Sequence, residues 1–341
     1  MKKLFFGILA MAAMAACATE ETVVASKGEA IGFGAFVDNA TKAIDPSYGS
    51  SNKINEIFVY GTVTGSNNTP VAIFEHTRVY ADGAGYNEDW KCDQTQYWIA
   101  GANYEFAAVN GVADTAVTCA DGGIPSLIEF TSNGTTDLVY GTAAVTNANA
   151  TGNATVAFDM AHLLAKVKLT VENTTNKGYN DKNSGYYYKI SNVRITNAYT
   201  AGTVTVPAKT WDVSGNPGVV ALGNVTNLTT PEAAADKIAD RAVVTSNYER
   251  LLIPNDYTTT KLQVKFNIIL CLNDDSNVIN SETDKTVEVP VNIECGKSYN
   301  FKLEVSVGQE IKFTVKTLDE WGDDIETGVE GNVNNNPGSQ N

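Results

Sequence analysis

Short segments with apolar side chains at every second position recur along the chain and are separated by turn residues. In the segment Ile31–Val37, for example, Ile31, Phe33 and Ala35 share one face of an extended strand. Gly, Asn, Asp and Pro follow such segments at short intervals, which is typical of β-sandwiches. The pattern predicts an all-β protein, with one short helix at Thr230–Arg241.

Two distant parts of the chain carry a similar sequence motif, in which a turn glycine precedes a strand with Tyr and Phe two residues apart. The two motifs are Gly101–Phe106 and Gly296–Phe301. Small polar residues at 147–153 provide a plausible link between the two halves. We therefore expect two related β-sandwich domains, at residues 17–153 and 154–341.

The start of the chain has the pattern of an export signal. Two lysines precede the apolar run 4–14, which is too short to span a bilayer as a helix. Ala15 and Ala16 then lead to Cys17, and this ending resembles a bacterial lipobox. The pattern predicts a signal peptide at residues 1–16 and Cys17 as the lipidated, palmitate-bearing first residue. The alternative is a plain secretory signal that is cleaved near Ala16.

Composition argues against nucleic-acid binding and against most catalytic sites. The chain has 24 basic and 39 acidic residues, so its net charge of −15 is opposite to that needed for phosphate backbones. It has two histidines, His76 and His162, and neither lies in a catalytic sequence motif. We interpret His76 as a strand-surface residue and His162 as a packed or capping residue. The acid-rich run Asn273–Asn277 is interpreted as a hairpin turn.

We therefore expect no enzyme activity, no cofactor and no metal site. A carboxylate pair of a glycosidase is compatible with the many acidic residues, but nothing in the sequence selects a pair. No motif for nucleotide binding or for metal-dependent hydrolysis is present.

The four cysteines after Cys17 are far apart and lack the spacing of a metal site. Two alternatives stay open for them. They could form disulfides within each half, as Cys92–Cys119 and Cys271–Cys295, or they could be free buried thiols.

Several features in order along the chain resemble those of one family. They are the lipobox at Cys17, the strand Ile31–Val37 followed by the basic loop residue Lys42, the opening Leu163–Val171 of the second half, and the closing Val315–Trp321. In their order and spacing these features resemble the fimbrillins, the lipoprotein pilins of type V pili. The resemblance covers nearly the whole mature chain.

The resemblance implies two transthyretin-like β-sandwich domains in tandem, on the outer membrane and cell surface of a Gram-negative bacterium, as part of a fimbrium. It implies that a trypsin-like protease cuts between Lys42 and Ala43, in the loop 39–52, and so removes the first strand at about 30–37. Family pilins are usually cut at arginine, whereas this loop carries Lys42. The implied partners are other pilin subunits in a homo- or heteropolymer, the processing protease, the outer-membrane lipid and a host or bacterial surface receptor.

Loss of a core strand leaves an apolar groove that a strand from another subunit can fill. We predict the donor within 309–321, where Ile311, Phe313 and Val315 repeat the two-residue apolar spacing of the first strand. The alternative is that this segment stays in its own subunit as an edge strand protected by lysines.

A surface adhesin or glycan-binding lipoprotein that never polymerises is the competing function. Trp90 and Trp98 could supply a sugar-stacking face, although strand tryptophans usually lie in a core. One further site is suggested by Asp114-Thr115-Ala116, which resembles a three-residue O-glycosylation sequence of some Gram-negative bacteria. The sugar would be on Thr115, and the alternative is an unmodified turn.

Overall fold

The computed structural model describes residues 28–37, 54, 56–66, 68–81, 90–120, 122–173, 186–213, 215, 217–223, 243–272, 274–308, 310–318 and 327–333. Nearly all regular structure in these ranges is β, which confirms the expected all-β class. The predicted helix at Thr230–Arg241 lies outside the described residues, as do Cys17, Lys42 and Ala43. None of the helical structure in the described ranges is long and apolar enough to cross a membrane.

Within its described residues, the first half contributes nine strands and one short 3-10 turn. The strands are β1 (Phe33–Val37), β2 (Glu56–Thr64), β3 (Pro70–Ala81), β4 (Trp90–Cys92), β5 (Asn103–Asn110), β6 (Val117–Cys119), β7 (Pro125–Thr131), β8 (Val139–Val145) and β9 (Val156–His162), with the turn at Asp114–Ala116.

The second half contributes thirteen more strands in the described residues. They are β10 (Ala165–Asn173), β11 (Tyr186–Ala198), β12 (Ala201–Thr205), β13 (Thr210–Asp212), β14 (Gly218–Gly223), β15 (Val243–Leu252), β16 (Asn255–Asp256), β17 (Leu262–Leu272), β18 (Asp274–Val289), β19 (Asn292–Ile293), β20 (Ser298–Val305), β21 (Lys312–Leu318) and β22 (Thr327–Val333).

A seven-stranded sheet has the order β1-β9-β8-β5-β2-β3-β4. Its neighbours run antiparallel except for β1 and β9, which are parallel. The inward faces of these strands form an aromatic core that includes Phe74, Tyr104, Phe106 and Phe158, each at most 2% exposed. The alternating pattern of the sequence therefore supplies one continuous buried face.

A nine-stranded sheet has the order β14-β11-β17-β18-β22-β21-β20-β10-β15. Its inward residues form a second aliphatic and aromatic core, in which Phe266, Phe301 and Phe313 are at most 1% exposed. Strands β17 and β18 form a hairpin in which Leu272 pairs with Asp274, so a hairpin lies near the predicted position. The predicted extent Asn273–Asn277 is wrong, because Asp274–Asn277 belong to β18, and Asn273 lies outside the described residues.

The two halves share a smaller sheet with the order β13-β12-β7-β6, in which β7 from the first half pairs with β12 from the second. A third buried cluster, with Tyr60, Phe130, Leu163 and Leu251 among its members, also draws on both halves. The expected division at residues 153 and 154 stays a prediction. If the chain divides into two domains, sheet membership favours a boundary between β9 and β10, because β9 still belongs to the first sheet.

Candidate functional site: the groove that holds the first strand

The segment Gly28–Val37, which we call the first-strand segment, lies where the two edges of the seven-stranded sheet approach each other. Its β1 part is itself one edge strand of the sheet and pairs there with β9. Its Ala30 forms a bridge to Tyr97, which follows the strand β4 at the other edge. The segment therefore joins the two edges and closes the first sheet over its core.

Backbone hydrogen bonds fix the segment to the chain around Tyr97. The amide of Ile31 donates to the carbonyl of Gln96 at 2.9 Å, and the amide of Trp98 donates to the carbonyl of Glu29 at 3.0 Å. These two bonds are the start of a short antiparallel pairing on this side of the segment.

The opposite side of the segment contacts the chain from Ala150 onward. The amide of Glu29 donates to the carbonyl of Ala150 at 2.7 Å, and the amide of Gly152 donates to the Glu29 carboxylate at 2.7 Å. The amide of Val156 donates to the carbonyl of Gly32 at 2.9 Å, and the parallel pairing of β1 with β9 continues from there over five residues. Glu29 is thus held from both sides and through its side chain.

The inward side chains of the segment complete the aromatic core. Ile31 is 5% exposed and Phe33 is 4% exposed, so the prediction that they face inward is confirmed. The ring of Phe33 lies 5.1 Å from that of Phe74, 5.6 Å from that of Phe106 and 6.0 Å from that of Phe158. Ala35 lies on the same strand, and its side chain is outside the described part of the structure.

Gly28 is placed where the segment enters the groove, and its lack of a side chain permits a close backbone approach. A Cβ at this position would lie 2.3 Å from the carbonyl oxygen of Trp98. A distance this short is a steric clash, so any larger residue would push the segment away from the chain at Trp98.

Without the first-strand segment, this site would be an apolar groove with open hydrogen-bonding groups on both walls. The rings of Phe74, Phe106 and Phe158 would form its floor. The carbonyl of Gln96 and the β9 backbone would lose their partners. Such a groove suits an extended strand with apolar residues at alternate positions.

The predicted donor residues lie in or next to β21, which the structure places inside the sheet of its own subunit. β21 pairs with β20 over seven residues and with β22 over five. Phe313 and Val315 are 1% and 0% exposed, and Ile311 is partly buried just before the strand. The interpretation of β21 as an edge strand is therefore wrong, because the later strand β22 covers it. The donor role itself stays a prediction.

A profile of the fimbrillin-like family matches residues 41–321. The chain belongs to the fimbrillin-like family. No curated protein sequence matches the chain. A fimbrial protein from Bacteroides vulgatus has a similar crystal structure, with a TM-score of 0.61 and 15% identity over 86% of this chain and 99% of that one. A fimbrial assembly protein from Parabacteroides distasonis matches with a TM-score of 0.43 and 11% identity over 89% of this chain and 99% of that one.

The predicted modification site of this fimbrillin-like chain is accessible. Thr115 is exposed on the short 3-10 turn, between Asp114 and Ala116. The hydroxyl of Tyr60 donates to the Asp114 carboxylate at 3.1 Å, which fixes the turn to the sheet. Burial and this carboxylate raise the pKa of Tyr60. Glycosylation of Thr115 stays a prediction.

Each of the two histidines of the fimbrillin-like chain packs against another side chain of the fold. The ring of His76 stacks on that of Phe58 at 4.2 Å and is half-buried in β3, where burial lowers its pKa. His162 is 6% exposed and contacts the Asp137 carboxylate through Nδ1, so the interpretation of His162 as a packed residue is confirmed. Within the described ranges, no group of three or more His, Cys, Asp and Glu residues is arranged to hold a metal ion.

The four cysteines after Cys17 and one of the tryptophans were candidates for disulfides and for a sugar-stacking face. The structure has Cys92, Cys119, Cys271 and Cys295 as free thiols. Trp98 is 3% exposed and lies edge-on to Tyr104 at 4.7 Å, so its proposed place in a sugar-stacking face is wrong. Its indole belongs to the same core cluster as Phe33 and Phe74.

Sequence reasoning missed the role of Glu29 in this site. Its carboxylate accepts a hydrogen bond from Gly152, which is 123 residues away in the sequence. A single acidic residue before a strand carries no signal of such a distant contact. The alternating pattern identified Ile31 and Phe33 because burial of one strand face is a local property.

Proposed function

We propose that this chain is a structural subunit of a surface pilus, or fimbria, that supports cell adhesion and polymerises by donor-strand exchange. The observation that carries the proposal is the placement of Ile31 and Phe33. These two side chains fill a core groove, yet they belong to a terminal segment that a single cut could separate from the rest of the chain. A subunit that loses this segment needs a replacement strand, and a neighbouring subunit can supply it.

Export and anchoring come first in this proposal. The signal peptide 1–16 is removed, and lipidation of Cys17 holds the subunit at the outer membrane, since more than one acyl chain on this residue inserts into the bilayer. Cys17→Ala should release the protein from the membrane fraction or stall its processing. Unchanged membrane retention, together with an N-terminal peptide whose mass differs only by the exchange of Cys for Ala, would contradict this step.

Cleavage between Lys42 and Ala43 follows. A trypsin-like protease fits a lysine in a polar loop, and the cut separates residues 17–42, including the whole first-strand segment, from the body of the subunit. Fibres sheared from cells should therefore begin at Ala43 when their N-terminus is sequenced. Fibres that begin at Cys17 would contradict this step.

The donor is assigned to the C-terminal region. Ile311, Phe313 and Val315 have the same two-residue spacing as the inward residues of the first strand, and burial of each large apolar side chain contributes about 1.5–3 kcal/mol. In the isolated subunit β21 is paired on both sides. Donation therefore requires β21 to leave β20 and β22, and the filled groove of the next subunit compensates for this loss.

Two variants test assembly, and a third is their control. Lys42→Ala should leave uncut monomers, and deletion of 309–341 should give cut subunits that do not polymerise. Lys53→Ala, at the next lysine along the chain, should form normal fibres. Electron microscopy of fibre length measures the outcome. Fibres of normal length from both test variants would contradict donor-strand exchange by this segment.

A second candidate function, glycan binding by a subunit that does not polymerise, is favoured by one cleft. The cleft has a volume of about 520 Å³, and the half-buried Trp211 lies on its wall beside the polar residues Asn255, Asp256, Asn292 and Glu294. The indole of Trp211 is fixed because its Nε1 donates to the Leu163 carbonyl at 2.8 Å. An aromatic face beside amides and carboxylates is the arrangement that binds sugar rings.

Binding to an array of neutral oligosaccharides tests this second function. Asn292→Ala and Glu294→Ala should each weaken binding, whereas Trp90→Phe, far along the chain from this cleft, should leave it unchanged. Absence of binding by the unmodified protein would exclude the cleft as a glycan site for the sugars tested.

A further inference from the structure

We propose that the first-strand segment stays in its groove after proteolysis, and that the incoming strand, not the protease, removes it. The inference rests on the proposed cut and deepens it. Hydrolysis of the Lys42–Ala43 bond consumes one water and leaves a carboxylate on Lys42 and an amine on Ala43. It breaks no other bond, so the segment leaves only if its non-covalent contacts are too weak to hold it.

All the residues of the segment that make described contacts lie before the cut, and their partners lie after it. The last of these residues is Val37, which lies five residues before Lys42 and pairs with Met160. The cut therefore removes the covalent connection and leaves the hydrogen bonds and the buried side chains of the segment intact. A segment with two buried apolar anchors and pairing on two sides has the features of a strand bound by β-augmentation.

The two ends of the segment are held differently. Glu29 and Ile31 bond to the chain at Gln96 and Trp98, and Glu29 also bonds to the chain at Ala150 and Gly152. In contrast, residues 33–37 pair with β9 alone among the described strands. The cut frees the end that is held on one side, so we expect the segment to fray from Val37 toward Phe33 and to open its Glu29 end last.

This asymmetry gives an incoming strand a place to start. A competing strand can pair where residues 34–37 have frayed and then displace the segment stepwise toward Ile31. The rate of release should then depend on the concentration of the competing strand. The fragment that the cut produces, residues 17–42, carries both this segment and Cys17, so a lipidated subunit that has been cut stays anchored until another strand displaces the segment.

A version of the full chain in which residues 39–42 are replaced by the recognition sequence of a specific protease tests the inference. The cut then occurs whether or not Lys42 is the natural site, so a failure of the proposed processing does not affect the result. After cutting, size-exclusion chromatography and intact-mass measurement show whether the small fragment elutes with the body. We expect co-elution in native buffer and separation in denaturant.

The release rate is then measured with increasing amounts of a synthetic peptide of residues 28–37, a competitor that fits the groove whichever strand is the natural donor. We expect release to accelerate with peptide concentration. A peptide of residues 309–317 forms a separate arm: if only the 28–37 peptide accelerates release, the inference stands and the donor assignment fails. Fragment loss before the first separation, or a release rate that is independent of the 28–37 peptide, would overturn the inference.

Variants connect the retention to the contacts described. Phe33→Ala should release the fragment about 100-fold faster or more, since loss of a buried Phe side chain is among the largest core effects. Glu29→Ala removes only an exposed carboxylate contact and should accelerate release about threefold to tenfold, which provides a test if Phe33→Ala does not fold. Ile99→Ala, an exposed neighbour of the groove, is the matched control and should not change the rate. Equal rates for all these variants would overturn the inference.

Discussion

Phe33 is the residue at which a single substitution tests the architecture of the groove most directly. Its side chain is 4% exposed and lies within 6.0 Å, between ring centroids, of Phe74, Phe106 and Phe158. Phe33→Ala removes the ring from the centre of this cluster. The three remaining rings belong to β3, β5 and β9, so they cannot close the cavity without moving three strands of the sheet.

The expected loss of stability follows from burial and cavity formation. Replacement of a buried Phe by Ala costs about 3–5 kcal/mol, and the upper half of this range applies where neighbours cannot relax. With a urea dependence of about 2–3 kcal/mol per M, the unfolding midpoint should fall by about 1–2 M. The free energy that is lost cannot exceed the cost of releasing the first-strand segment locally, because beyond that point the segment leaves while the rest of the sheet stays folded.

Urea unfolding of the uncut protein, followed by tryptophan fluorescence, measures this loss. Trp98 is a suitable reporter because it is buried and lies 4.7 Å from Tyr104 in the same core. Ile99→Ala is the control, since Ile99 is 53% exposed and its substitution should change stability by no more than about 0.5 kcal/mol. A midpoint for Phe33→Ala within about 0.2 M of the unmodified protein would refute the reasoning that this segment is part of the core.

Three further predictions follow from the described geometry. Burial lowers the pKa of His76 in the folded protein, so the unfolded chain binds a proton at this residue more readily. The free energy of unfolding should therefore fall as the pH drops below 6.5, the ordinary pKa of His. The variant His76→Asn, in which Asn tolerates the φ of 48°, should reduce this pH dependence in urea titrations at several pH values. Gly111→Ala should lower the melting temperature strongly, because the φ of Gly111 is +100° and a Cβ there would lie 1.9 Å from a carbonyl oxygen. Gly65→Ala is the control and should not lower it, because no atom lies within 4 Å of a Cβ at Gly65. Equal melting temperatures for the two variants would contradict the described conformation of Gly111. Maleimide should label the exposed Cys119 well before the buried Cys271, as measured by mass spectrometry of digests, and faster labelling of Cys271 would show that β17 is not buried as described.

Much of the strand content could be predicted because alternation is a local property. The two motifs Gly101–Phe106 and Gly296–Phe301 lead into β5 and β20, as their alternation predicts. In both, the Tyr and Phe that lie two residues apart are buried, because alternate side chains of an extended chain lie on one face. β8 has no such pattern, because Gly, Thr and Ala follow its first two apolar residues, and its place in the sheet depends on pairing with β5.

The candidate site was predictable in part for the same reason. Burial of Ile31 and Phe33 followed from their spacing in the sequence, whereas the partners of their strand did not. The parallel pairing of β1 with β9, 123 residues away at Phe33 and Val156, has no sequence signature, because backbone amides and carbonyls are the same in every strand. The contact of Glu29 with Gly152 depends on that pairing and was equally hidden.

The sequence by itself determined the all-β class and the inward face of the first strand. The export signal at residues 1–16 stays a prediction from its pattern. These features depend on residue type and on spacing within a few positions. Only the tertiary structure decided that β21 lies between β20 and β22 and that β7 pairs with β12 across the two halves. The physical reason is that side-chain alternation specifies which face of a strand is buried, while the choice of neighbour depends on how all the strands together satisfy their hydrogen bonds and fill the core.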